Sequence, residues 1–173
     1  GIGSQTLEID GVSEIRQNVE FQVSEDPIES MMFLSLAAVT NSSITIERCP
    51  IEYLRLELVK LETMGFRHKI LRSYLSGNGH TRLADILTLP AKKPLALTEK
   101  LHPLPSNAGI NIDNLPFFVP VAAVCAGKTL VHDWVYENRA IYYLELNKLR
   151  ANVMLLDAHR VSVPQVTRSR LAA

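Results

Sequence analysis

Apolar residues recur along the chain in three distinct patterns. From Thr6 to Val12 and from Val19 to Val23 they alternate with polar ones, the two-residue period of a strand with one covered face. From Pro27 to Val39 and from Leu115 to Ala126 they occupy nearly every side of a helix, which predicts two helices set in an interior. Ile51, Leu54, Leu58 and Leu61 recur at helical spacing, with Glu52, Arg55, Lys60 and Glu62 off that stripe. Ile141, Leu144 and Leu149 do the same, so amphipathic helices are predicted over 50–64 and 138–149.

Local signals set the boundaries. Asp26 is a good N-cap and Pro27 suits a first helical position. Asp113 stands in the corresponding place ahead of the second apolar helix, so both aspartates read first as caps. Pro116 fits a first turn, whereas Pro120 lies deeper and is expected to kink that helix or move its start. Gly65 and Gly127 follow helices as stop residues. Short extended runs are predicted at 44–46, 66–71, 81–89, 95–97, 129–133, 152–156 and 161–163. Ser76 to Gly79 and Asp157 to His159 are turn signals that make hairpins of their flanks.

The layout occurs twice. Ala37 to Val39 matches Ala122 to Val124, and Leu58 to Leu61 matches Leu146 to Leu149, an offset of roughly 85–90 residues. This spacing predicts an α/β (α+β) fold of repeated β-α-β-α-β-β units, apolar helices inside and sheets outside. The expected division is 1–24 as strands closing an upstream part, 25–97 as one unit and 98–173 as the next.

Composition narrows the function classes. Of 173 residues, 47% are hydrophobic and 21% charged, the balance of a folded soluble chain. Eighteen basic residues match eighteen acidic ones, so there is no basic field for nucleic acid or an anionic membrane. The apolar runs are too short to span a bilayer, and no signal peptide is visible at the start, which makes a cytoplasmic location the expectation. The first residue is not Met and the last ones are polar, as in a piece of a longer protein. Cys125 reads as a buried inert thiol, and Cys49, ahead of Pro50, as an exposable one. The five histidines show no metal-ligand spacing, and no metal or cofactor is expected.

Several stretches together resemble the enolpyruvyl transferase family. Gly1, Gly3 and Leu7 to Val12 resemble its G-x-G-T…L-x-I-x-G-V, and Val23 to Glu29 its V-x-P-D-R-I-E. Gly109 to Asp113 resembles G-F-P-T-D, and Val135 to Arg139 resembles V-F-E-N-R, followed by E-L-x-x-L at Glu145 to Leu149. The V-F-E-N-R stretch points to the branch acting on UDP-N-acetylglucosamine rather than on shikimate phosphate. The resemblance implies an inside-out α/β barrel and transfer of enolpyruvate from phosphoenolpyruvate to the sugar 3-hydroxyl, a step of peptidoglycan precursor synthesis. It implies that Asp113 contacts that hydroxyl and acts as general base. Val135 is then a nucleotide-sugar contact, Arg139 a cationic residue near the cleft and Asp26 a further substrate contact.

The chain departs from the motifs at particular positions. Pro27 stands where the family has Arg, Asn111 where it has Pro, Ile112 where it has Thr, and Asn114 where it has Leu. Two functions therefore stay open: part of an active transferase, or a catalytically silent relative that binds a nucleotide sugar or regulates. Arg139 could also simply pair with Glu137 or Glu145 at the surface.

Overall fold

The computed structural model describes residues 6–103 and 110–165. Two arrangements of the same element order follow one another. The first comprises helix α1 (Pro27–Thr40), strand β1 (Thr45–Cys49), a 3-10 turn (Ile51–Leu54) running into α2 (Arg55–Thr63), and strands β2 (Arg67–Leu75) and β3 (Arg82–Leu89). The second comprises α3 (Leu115–Val124), β4 (Lys128–His132), α4 (Arg139–Tyr142) with a 3-10 stretch (Tyr143–Leu149), β5 (Met154–Asp157) and β6 (Arg160–Pro164). Each forms a three-stranded antiparallel sheet, ordered β1-β3-β2 and β4-β6-β5, so the last strand of each is the central one.

The hairpin of β2 and β3 is closed by one side chain. Asn78 Oδ1 accepts the His80 and Thr81 N–H groups at 2.9 Å each, and Gly79 takes the left-handed φ of +73° that the turn requires. Helix α1 starts as its sequence predicts, with Asp26 Oδ1 accepting the Ile28 N–H at 2.7 Å. It ends at Asn41 in the left-handed region. Pro120 lies inside α3 rather than moving its start, and the helix runs on to Val124; a mid-helix proline removes one intrahelical N–H.

The two arrangements share one core. Met31, Leu54, Met64, Ile86, Phe118 and Val131 are all fully buried within a single cluster. α1 and α3 pack together, and Ser35 Oγ donates to the Phe117 carbonyl at 2.8 Å across that contact. The connector between the arrangements is hydrogen-bonded to both. Leu95 N–H donates to Met64 O at 2.9 Å, Ala96 N–H to Ala126 O at 2.9 Å, and Leu101 N–H to Leu130 O at 2.8 Å. The strand expected over 95–97 is thus reduced to isolated parallel bridges, Leu95 to Ala126 and, beyond it, Leu101 to Val131.

Three expectations are corrected. Residues 6–23 hold no strand: a strand needs a hydrogen-bonded neighbour, none pairs here, and Leu7, Ile9, Ile15 and Val23 stand exposed. Helix α1 is covered on one side only, by α3 and its own sheet, so Met32, Phe33 and Leu36 are exposed despite the all-round apolar sequence. The helix of 138–149 passes from α to 3-10 at Tyr143, and the shorter period turns Ala140 and Tyr143 inward. Ile141 and Leu149 face solvent instead, with Leu144 half-buried. No helix among the described residues is long and apolar enough to cross a membrane.

Candidate functional site

Asp113 is not the cap of α3. The N-cap is Asn114, and its side chain makes no capping bond. Asn111 instead shapes the approach: its Oδ1 accepts the Asp113 N–H at 2.9 Å, and its carbonyl accepts the N–H of Asn114 at 3.0 Å and of Leu115 at 3.1 Å. The chain therefore turns before the helix with the Asp113 carboxylate unspent. That side chain is half-exposed (48%), and its Oδ1 lies 3.7 Å from Arg139 Nη1.

Arg139 opens α4, immediately after Asn138, which takes a left-handed φ of +60°. An asparagine tolerates that backbone region. The arginine is largely buried. Its Nε donates to Asp133 Oδ2 at 2.5 Å and its Nη2 to Asp133 Oδ1 at 3.0 Å, a two-pronged pair. Nη2 also donates to the Ile112 carbonyl at 2.7 Å, and the guanidinium lies 4.5 Å from the centre of the Tyr136 ring. The surface partners Glu137 and Glu145 are not used; a fully buried Asp133 is.

Asp133 also accepts the Tyr143 hydroxyl. Burial opposes the charge on Arg139, but the hydrogen bonds and charges of Asp133 and Tyr143 more than offset it, and its pKa is raised. Burial, followed by Asp133, pushes the Tyr143 hydroxyl above its ordinary range. Two aspartates thus flank one guanidinium with different surroundings. Asp133 is an anchor locked away from water; the Asp113 carboxylate is half-exposed.

Val135 lies between Trp134 and Tyr136 on the loop from β4 to α4, and all three are partly exposed beside Arg139. Trp134 Nε1 donates to the Pro103 carbonyl at 3.0 Å, which pins that loop. The structure therefore brings Asp113 and Arg139 together, with Val135 four residues ahead of Arg139 on the loop that leads to it. Asp26 lies in the first arrangement. It caps α1 at the rim of an open cleft of about 370 Å³ lined also by Glu25, Glu29 and Arg48. Among the described residues no hydrogen bond or ion pair joins it to Asp113 or Arg139.

The cysteine expectations divide. Cys125 is buried, and burial pushes its thiol up to about 12. Cys49 is fully buried as well, not exposable, and burial raises it to about 11, which leaves no thiolate at neutral pH. Asp133 and Tyr143 were not singled out by the sequence, although Tyr143 stands four residues after Arg139, one helical turn away. Glu57 was missed too: it lies three residues after Leu54, on the apolar stripe itself, and is buried.

Comparison with known proteins adds three findings. Residues 1–171 match the family of EPSP synthase (3-phosphoshikimate 1-carboxyvinyltransferase). Among curated relatives, UDP-N-acetylglucosamine 1-carboxyvinyltransferase of Coprothermobacter proteolyticus is 31% identical over 153 residues, 88% of this chain and 33% of that protein. The protein of the same name from Wolinella succinogenes is 34% identical over 156 residues, 90% of this chain and 34% of its own length. Among solved structures, EPSP synthase of Acinetobacter baumannii superposes with a TM-score of 0.65 at 18% identity, covering 83% of this chain and 33% of that one. The enolpyruvyl transferase NikO of Streptomyces tendae superposes with a TM-score of 0.60 at 20% identity, covering 83% of this chain and 31% of that one. The mixed α/β fold is therefore shared with enolpyruvyl transferases, and the chain spans about a third of the length of the curated relatives it matches.

Proposed function

The chain belongs to the EPSP synthase (3-phosphoshikimate 1-carboxyvinyltransferase) family, and from that premise we propose that it carries the hydroxyl-activating side of an enolpyruvyl transfer site. The acceptor is the 3-hydroxyl of UDP-N-acetylglucosamine, as the names of its curated relatives suggest, and the donor is phosphoenolpyruvate. The product feeds peptidoglycan synthesis, and the setting is the cytoplasm. The observation that carries the reading is an outward-facing Asp113 carboxylate, free of any capping duty and 3.7 Å from a guanidinium that is itself held by Asp133.

In this reading Asp113 accepts the proton of the sugar 3-hydroxyl while its oxygen bonds to C2 of phosphoenolpyruvate. A donor elsewhere in the protein protonates the methylene carbon. Loss of a proton from that carbon then expels phosphate and restores the double bond. Arg139 orients Asp113 and places positive charge beside the reacting groups; its Nε and Nη2 are already engaged, so it is not a free phosphate clamp. Val135 and its exposed neighbours form the wall that meets the nucleotide sugar. Asp26 serves α1 as its cap.

At fold level, we read the two arrangements as 25–97 and 98–173, parts of an inside-out α/β barrel, with 1–24 belonging to an upstream part. The exposed Met32, Phe33 and Leu36 on α1 support this, because such a helix has apolar surface left for further packing. The full-length protein, given both substrates, is expected to release phosphate only when UDP-N-acetylglucosamine is present. No sugar-dependent release would overturn the activity.

A further inference from the structure

Glu57 is 2% exposed on α2, in the first arrangement, and among the described residues no cation pairs with it. A carboxylate is costly to bury, and the cost is tolerated where it satisfies donors that nothing else reaches. Here Oε1 accepts two: the Asn111 backbone N–H at 3.0 Å and the Asn114 side-chain amide at 3.0 Å. Both donors come from the second arrangement and bracket Asp113. Asn111 in turn holds the Asp113 N–H, and Ile112 between them gives its carbonyl to Arg139. The segment 111–114 is thus gripped from behind by Glu57 and from the front by Arg139, and only the Asp113 carboxylate is left pointing out.

Positions 111 and 114 are two of those at which this chain departs from the G-F-P-T-D-L pattern. Proline has no N–H and leucine no side-chain donor. The asparagines that stand here both donate, to the same oxygen. These two departures therefore form one network with Glu57 rather than two unrelated changes.

We propose that Glu57 is a positioning residue for Asp113: by holding Asn111 and Asn114 it fixes the carboxylate that activates the acceptor hydroxyl. The proposal rests on the reading of Asp113 as the base. Small displacements of a reacting group cost large factors in rate, so Glu57→Leu in the full-length protein should lower kcat by about ten-fold or more. KM for UDP-N-acetylglucosamine should change little, because the sugar-facing Val135 loop is untouched. Glu57→Gln keeps an oxygen that accepts both donors and should restore kcat to near the parent value. Residues acting through one group are not additive; in an Asp113→Asn background, Glu57→Leu should cost nothing further. Hydrogen exchange over 110–114 should quicken in Glu57→Leu and not in Glu57→Gln.

Unchanged kcat in Glu57→Leu, or a full multiplied loss in the Asp113→Asn background, would overturn the proposal. The second result would leave Glu57 a general packing residue. An Asp113→Asn protein with unchanged turnover would sink the base reading on its own. Unchanged exchange over 110–114 would then also dispose of the anchor.

Discussion

At the scale of single residues, the two aspartates beside Arg139 differ in exposure, and their substitutions should differ in effect. Asp113→Asn keeps shape but cannot take a proton, and should lower kcat of the full-length protein by about 100-fold, the lower end of what a general base supplies. Steady-state phosphate release measures it. Asp133→Asn acts differently, because it leaves Arg139 as an uncompensated, largely buried charge. It should lower unfolding stability by about 3 kcal/mol in urea titrations. Position alone made Asp113 look like a cap, since Asp26 fills the matching place and does cap its helix. The difference is one residue: Asn114 intervenes between Asp113 and α3, and helix ends are read from sequence only to within a residue or two. Asp133 stayed hidden because an acidic residue at a strand end looks exposed until its partner, six residues on, is folded against it.

At the scale of elements, a period was readable as structure only where a partner meets it: the alternating runs over 6–23 form no strand, because nothing pairs with them. The hairpin turn at Asn78 and Gly79 carries its own chemistry, so it forms where the sequence says. The helix from Arg139 misled because three residues per turn and 3.6 share the same first contacts and part company only after one turn. The first sheet is fastened by a further polar group. Asp85 on β3 accepts the Arg48 N–H of β1 at 3.0 Å, the Arg72 side chain of β2, and the Tyr74 hydroxyl at 2.8 Å. The Arg48 N–H first, then Arg72, hold its pKa below the ordinary carboxylate value. A depressed pKa in the folded state means stability that is present above the unfolded value of about 3.9 and lost as pH falls through the folded one. Thermal stability should thus fall below about pH 4, and Asp85→Asn should flatten that acid limb. Asp26→Ala should cost about 1 kcal/mol through α1 alone.

At the scale of the whole molecule, the repeat was readable because both copies keep their inner apolar helix. What covers those helices was not, because burial depends on neighbours that no local pattern names. The 173 residues hold one side of the proposed site, and the chain by itself should show no transfer of enolpyruvate, measured by sugar-dependent phosphate release. The strand order has a consequence for synthesis. In each sheet the middle strand is the last one made, so β1 leaves the ribosome with no sheet partner until β3 follows it, and β4, bridged earlier to Leu101 alone, waits for its sheet partner β6. Each sheet therefore appears all at once, at its final strand, and contacts between such distant segments are the slow ones to form. A nascent chain halted before Arg82 should remain protease-sensitive over 45–75, whereas one extended past β6, which completes both sheets and the shared core, should protect residues 27–89.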